Sequence, residues 1–388
     1  MSDVLERARE AGDPAPAAAP LAGALSGLWQ RFAETIGATY RAQAYPLGYS
    51  AGLDGMRAAI TLAVILFHTR PAWTPGGFVA MEGFFLLSGY FITGLLLREH
   101  ARAGRVRVRD FYRRRIARIF PPLLAMLAAF ALAAAIGLTD AEPRRVAAAL
   151  GYVVFGWSWW PRIGPPVEYD LGHLWSIAIE LQFYFVWPWI VLGLLRALGR
   201  GARLAAVMLA LAAASWGYRA WLCWEGAGTT LLYAYTFARL DALLVGSALA
   251  AMLPEMRMLS RDAVARWAAA GAWIALALFL AGILLARPSA RWYYYFGSVA
   301  LGIVPAALAL VVLLRSERTV LHRVLEWPIL VFLGHIFYAL YLWHFPVIAI
   351  AAENHVPRTP VALPITLLAA VLSYLLIERH FMRRRAGA

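Results

Sequence analysis

The 388-residue sequence contains no lysine, so all 36 basic residues are arginine. Schiff-base catalysis by a side-chain amine is thereby excluded. The single cysteine, Cys223, excludes an intramolecular disulfide and every cysteine-rich zinc arrangement. It lies in an apolar run, where a thiol is inert. Charge is scarce too, at 15% of residues, against about a quarter in an average soluble domain. The N-terminus has no charged start followed by an apolar core, so no signal-peptide pattern opens the chain.

What is abundant is apolar. Hydrophobic residues make up 62% of the chain and mean hydropathy is +0.64. Runs of about 18–24 apolar residues recur, each long enough to cross a bilayer as a helix. The expected fold is an all-α, polytopic membrane bundle. A soluble enzyme, a secreted disulfide scaffold and a disordered regulator are excluded. The net charge of +14 would suggest nucleic-acid binding in a soluble protein, but no motif for it is present. The arginines cluster between apolar spans instead, as in cytoplasmic loops.

The chain divides into three parts. Residues 1–50 read as a cytoplasmic extension, flexible around Asp13–Pro20 and weakly amphipathic over 21–37. Residues 51–380 read as the membrane domain and 381–388 as a basic cytoplasmic tail. Ten spans are expected near 53–70, 76–97, 120–138, 174–195, 204–224, 231–253, 267–286, 292–314, 329–352 and 360–377. The stretch 146–160 is too short to cross comfortably and is expected to be re-entrant or to lie on the outer surface. Loop 98–118 carries nine arginines against Glu99 and Asp110, which places it in the cytoplasm. Ten crossings put the other arginine-rich loops and both termini on that same side.

Polar residues within spans are costly and are candidates for function. Arg57 and His68 are eleven residues apart, which returns a helix to nearly the same face about 16 Å along its axis. Glu82, across a short loop, is expected at the depth of His68. A carboxylate beside an imidazole fixes its tautomer and raises its basicity, so the pair could serve as a general base. His173, Trp175, Glu180, Tyr184, Arg239, Asp241, Tyr341 and His344 are expected to line one polar chamber. Arg239 and Asp241 cannot share a helical face and should pair with other helices. Arg115 and Arg118, three residues apart, share a face at the cytoplasmic surface and suit phosphate. Ser88 is a hydroxyl deeper in the second span, expected to pack or hydrogen-bond. No metal or redox cofactor is indicated.

Several segments together resemble the integral-membrane acyltransferase 3 family of O-acyltransferases. Leu53–Arg57 with Leu66–His68 is similar to its Arg/His first-span motif. Gly77–Phe78 with Glu82–Tyr90 resembles its second-span motif, with Glu82 where Asp is more usual. Phe111–Pro122 resembles its Arg-x-x-Arg motif. Gly172–Ser176 with Glu180–Tyr184, Arg239–Gly246, and Tyr338–Pro346 resemble three later motifs, Phe337 replacing a usual Ser. The resemblance implies transfer of an acyl group, expected to be acetyl, from cytoplasmic acyl-CoA such as acetyl-CoA. The acceptor would be a hydroxyl of a surface or lipid-linked glycan. It implies His68 as the catalytic histidine, Arg57 as its motif partner, and Arg115 and Arg118 at the donor site. No fused esterase-like domain is expected. A macrolide-like small-molecule acceptor is the alternative, and a proton-coupled solute transporter is the alternative of another class. The lack of an evident internal repeat weighs against transport.

Overall fold

The computed structural model describes residues 50–156, 169–258, 261–315 and 319–383. Every regular element among them is helical. That follows from the solvent: in hydrocarbon a helix satisfies its own backbone donors and acceptors. Helix α1 (Ala51–Thr69) leads through a 3-10 turn at Gly77–Ala80 into α2 (Met81–Ala103). Next come α3 (Val108–Ala135), which contains Pro121 and Pro122, and the short α4 (Pro143–Phe155). They are followed by α5 (Trp175–Leu198), α6 (Ala202–Trp224), α7 (Leu240–Met258) and α8 (Arg261–Leu285). Helix α9 (Val304–Arg315) is preceded by π-helical turns at Tyr293–Gly297 and Val299–Ile303. Helices α10 (Pro328–His335) and α11 (Phe337–Glu353) meet at a 76° bend. Helix α12 (Leu363–Ser373) closes the bundle between two further π-helical turns.

The protein is a multi-pass membrane protein. Seven helical segments among the described residues are long and apolar enough to cross a membrane, and the bent α10–α11 pair makes an eighth. Two shorter apolar helices, Leu240–Leu253 and Val299–Leu314, fall where the other two of the ten expected spans lie. The expected span at 231–253 is shorter than its apolar run because Thr229–Ala234 and Thr236–Ala238 form separate turns. At 13 residues α4 is about 20 Å long, less than the hydrocarbon thickness. It corresponds to the expected non-crossing stretch at 146–160, of which residues 157–160 lie outside the described residues. So do residues 1–49 of the expected extension and 384–388 of the tail.

The apolar window of Gly77–Ala103 is 83% buried, whereas that of Ala202–Trp224 is only 28% buried. Helix α2 is therefore central, and most of α6 faces outward. Helices α2 and α7 pack so closely at Gly89 and Gly246 that no larger side chain fits at either position. A methyl group on Gly89 would lie 1.8 Å from the Leu243 carbonyl oxygen, and one on Gly246 would lie 1.9 Å from that of Leu86. Small residues let membrane helices make such contacts, and hydroxyls then bridge them. Here Thr93 donates to Ser247 at 2.8 Å and receives the Trp187 indole N–H at 2.7 Å. This rigid centre carries Ser88 next to Gly89 and Glu82 about two turns before it.

Candidate active site

Helix α1 places Arg57 near its start and His68 in its last turn, at opposite ends. The Arg57 guanidinium lies 3.1 Å from Asp54 Oδ1, over the Phe91 ring at 4.4 Å and near the Phe337 ring at 5.2 Å. Asp54 Oδ2 in turn lies 3.1 Å from His335 Nε2. Beside Arg57 runs a narrow slot of about 90 Å³. Its walls bring together Arg57, Ser88, Arg115, Arg118, Glu180, Tyr184 and Tyr341 from five helices. The shared face expected for Arg115 and Arg118 is thus the face that lines the slot.

Within the slot, Ser88 Oγ donates to Glu180 Oε1 and lies 2.9 Å from Tyr184 Oη. Arg115 Nε has no hydrogen-bond partner among the described residues, and its guanidinium stands 5.7 Å from the Phe111 ring centre. Arg57 is held by Asp54 and the Glu180 carboxyl shares the slot, so Arg115 and Arg118 leave its balance positive, which favours an anionic ligand; planar guanidinium suits phosphate in particular.

The histidines gather elsewhere. The His344 ring lies 5.4 Å from that of His68 and 5.6 Å from that of His173. Phe345 braces two of them, edge-on to His68 at 4.7 Å and stacked on His173 at 5.3 Å. Tyr341 joins the two regions. It lines the slot, donates to the His173 carbonyl at 2.8 Å and lies 2.6 Å from Ser176 Oγ.

Other expectations are corrected. No hydrogen bond joins Glu82 to His68. The fully buried Glu82 carboxylate accepts from Arg239 Nη1 at 2.6 Å and from Tyr293 Oη at 2.9 Å. A buried carboxylate needs such a counter-ion, and a neutral imidazole would not supply one. Gly302 makes room for it, since a Cβ there would lie 2.3 Å from Glu82 Cγ. Trp175 packs on Tyr233 at 4.6 Å and stands 5.9 Å from the Arg239 guanidinium. Asp241 accepts from Arg219 Nη2 at 2.7 Å. Glu82, Trp175, Arg239 and Asp241 therefore form a separate buried region instead of lining the expected chamber. Arg239 and Asp241 do pair with other helices, α2 and α6.

Sequence reasoning passed over Arg219, although a charge in the middle of an apolar span is itself the signal. Phe91 gave none, because aromatic residues are ordinary in apolar helices, and Phe337 and Phe345 stand out only as parts of the last motif, with no contact to predict. Among the described residues no group of three or more His, Cys, Asp or Glu side chains is arranged so that it could hold a metal ion.

Helix α1 thus carries the Arg57 guanidinium in its first half and the His68 imidazole in its last turn, with Arg115 and Arg118 gathered beside the first. The chain belongs to the Acyl_transf_3 family, described as an acyltransferase domain, whose profile matches residues 50–378. It is 29% identical over 359 residues to O-acetyltransferase OatA of Staphylococcus aureus strain NCTC 8325 / PS 47, covering 88% of this chain and 58% of that protein. It is 32% identical over 352 residues to YrhL of Bacillus subtilis strain 168, named as a candidate peptidoglycan O-acetyltransferase, covering 85% of this chain and 54% of that one. The chain thus spans little more than half the length of these curated relatives. No solved structure matches it.

Proposed function

We propose that the protein is a membrane O-acetyltransferase that moves an acetyl group from cytoplasmic acetyl-CoA to a hydroxyl of a cell-envelope glycan. The observation that carries the reading is the convergence of Arg57, Arg115 and Arg118 on one slot. In this reading the arginines hold the donor's phosphates, and the donor's slender arm runs past Tyr341 towards His68. The relatives' names, which speak of O-acetyl transfer and of peptidoglycan, support the acceptor class.

The chemistry is direct. His68 removes the acceptor's proton as that oxygen attacks the thioester carbonyl. The C–O bond forms, the C–S bond breaks, and the departing thiolate takes the proton back from His68. No acyl-enzyme is needed, and Ser88 helps shape the slot through Glu180 and Tyr184. The protein sits in the inner membrane among lipids, with its arginine-rich loops and both termini in the cytoplasm.

Purified protein incubated with labelled acetyl-CoA and glycan fragments should release CoA and label the glycan. His68→Ala should abolish both. Full activity in His68→Ala, or an acetyl group trapped on Ser88, would overturn the mechanism. A cysteine introduced after Arg203 should resist labelling from outside the cell, and labelling there would overturn the topology.

A further inference from the structure

Once Glu82 is held by Arg239, His68 lacks the orienting partner expected for a base. The imidazoles around it supply another candidate. A backbone carbonyl only accepts hydrogen bonds. His344 Nδ1 lies 2.6 Å from the Tyr341 carbonyl oxygen, so Nδ1 carries the proton. In the neutral ring, Nε2 is then left as a lone pair. That Nε2 is buried and has no hydrogen-bond partner among the described residues. The same logic applies to His173, whose Nε2 lies 3.1 Å from the Leu342 carbonyl oxygen. Its Nδ1 is the bare lone pair.

An unpaired buried acceptor is unfavourable and calls for a reason. Burial orders the rings. His68 is half-buried, while His344 is fully buried and lies between His68 and His173. The ring open to an acceptor substrate is therefore backed by a ring that can only accept.

We infer that His344 is the positioning residue for His68: its Nε2 receives the N–H of the His68 ring when substrate is bound. The inference rests on the transferase reading above. Receiving that N–H points the other His68 nitrogen, as a lone pair, at the acceptor hydroxyl. When His68 takes the hydroxyl proton, the same contact stabilises the imidazolium until the departing thiolate removes the proton. No net charge is left on His344. In this structure the two rings do not hydrogen-bond, and such contacts commonly tighten only in the substrate complex. The ring centres are 5.4 Å apart with their planes 39° from parallel, so a tilt of the rings brings the nitrogens together.

The test is steady-state kinetics on the full-length chain with acetyl-CoA and glycan fragments. His344→Leu should lower kcat by about a hundredfold or more with little change in KM for either substrate, the range expected for acid–base support. His344→Gln, which keeps an acceptor at that place, should lose less. His344→Gly should regain part of its rate with added imidazole, whereas His68→Leu should stay inactive in His344→Gly's rescue conditions. Thermal unfolding identifies any variant that fails to fold, and the rescue then decides through the Gly and Gln variants. A wild-type chain that does not release CoA overturns the transferase reading itself. Wild-type turnover that survives intact in His344→Leu overturns only the positioning role, as does the absence of imidazole rescue in a folded His344→Gly.

Discussion

Arg219 and Arg115 both sit among helices, yet their surroundings differ completely. Arg219 is wholly buried and bonds to Asp241, Ser298 Oγ at 2.5 Å, the Ala238 carbonyl at 2.6 Å and the Tyr294 carbonyl at 3.1 Å. Arg115 lines the slot with its Nε unpaired. A charge within an apolar bundle is tolerated only when something compensates it. At Arg219 the compensation comes from the fold, tying α6 to α7 and to the turn before α9. At Arg115 the fold leaves it incomplete, and an anionic ligand would complete it. The difference separates an arginine fully compensated by the fold from one that faces a slot with an unpaired donor, which composition alone does not do.

The strongest way to break the comparison is to remove the counter-ion of Arg219. Asp241→Ala should destabilise the protein by about 3–5 kcal/mol, because it strands a buried guanidinium. The loss should appear as a large fall in Tm in detergent, or as failure to recover folded protein. The double variant Arg219→Met with Asp241→Leu should regain part of that stability, since it removes the stranded charge but leaves Ser298 Oγ and the Ala238 and Tyr294 carbonyls without a donor. An Asp241→Ala protein with unchanged Tm would show that Arg219 is not held as described.

The sequence made the bundle legible because each span is a long apolar run and the loops between are rich in arginine. It made Arg57, Arg115 and Arg118 legible because helical spacing alone puts Arg115 and Arg118 on one face. It misplaced Glu82. Similar depth suggested His68 as its neighbour, but depth says nothing of rotation about the bundle, and α7 brought Arg239 to the same carboxylate. The break of α10–α11 at Ile336 was also illegible, since the run 329–352 is apolar throughout. The bend sits where Gly334 meets the backbone of Asp54, with a Cβ contact that would be 2.0 Å from its carbonyl oxygen. That is a tertiary constraint with no local sign.

A smaller effect is expected at the slot. Arg115→Ala should leave Tm nearly unchanged, since no described hydrogen bond depends on its Nε. It should weaken acyl-CoA binding by about 1.5–3 kcal/mol, the range for a lost charged hydrogen bond. That is about a ten- to 150-fold rise in apparent Kd. Arg115→Lys keeps the charge but loses the planar fork, and should fall between the two. Isothermal titration with a non-hydrolysable acyl-CoA would measure it. Unchanged affinity in Arg115→Ala would remove this residue from the donor site and weaken the contrast with Arg219.

The smallest effect belongs to a third setting, the exposed start of α4. Arg144 and Arg145 stand at the positive end of that helix, where cations are unfavourable. Glu142 offsets them, with Oε2 at 2.6 Å from Arg144 and Oε1 at 3.2 Å from Arg145. The Arg144 hydrogen bond foremost holds the Glu142 carboxyl below its ordinary value of 4.5. A carboxyl held low in the folded state contributes stability above its unfolded pKa, and that contribution is lost as pH falls through the folded one. Glu142→Gln should therefore lower Tm slightly at neutral pH, and the difference from wild type should shrink in acid. It should shrink in high salt as well, because water and ions screen an exposed pair. A large loss in Glu142→Gln that persists in salt would mean that α4 depends on this pair as α6 depends on Asp241. The division between arginines of the fold, the slot and the surface would then have to be redrawn.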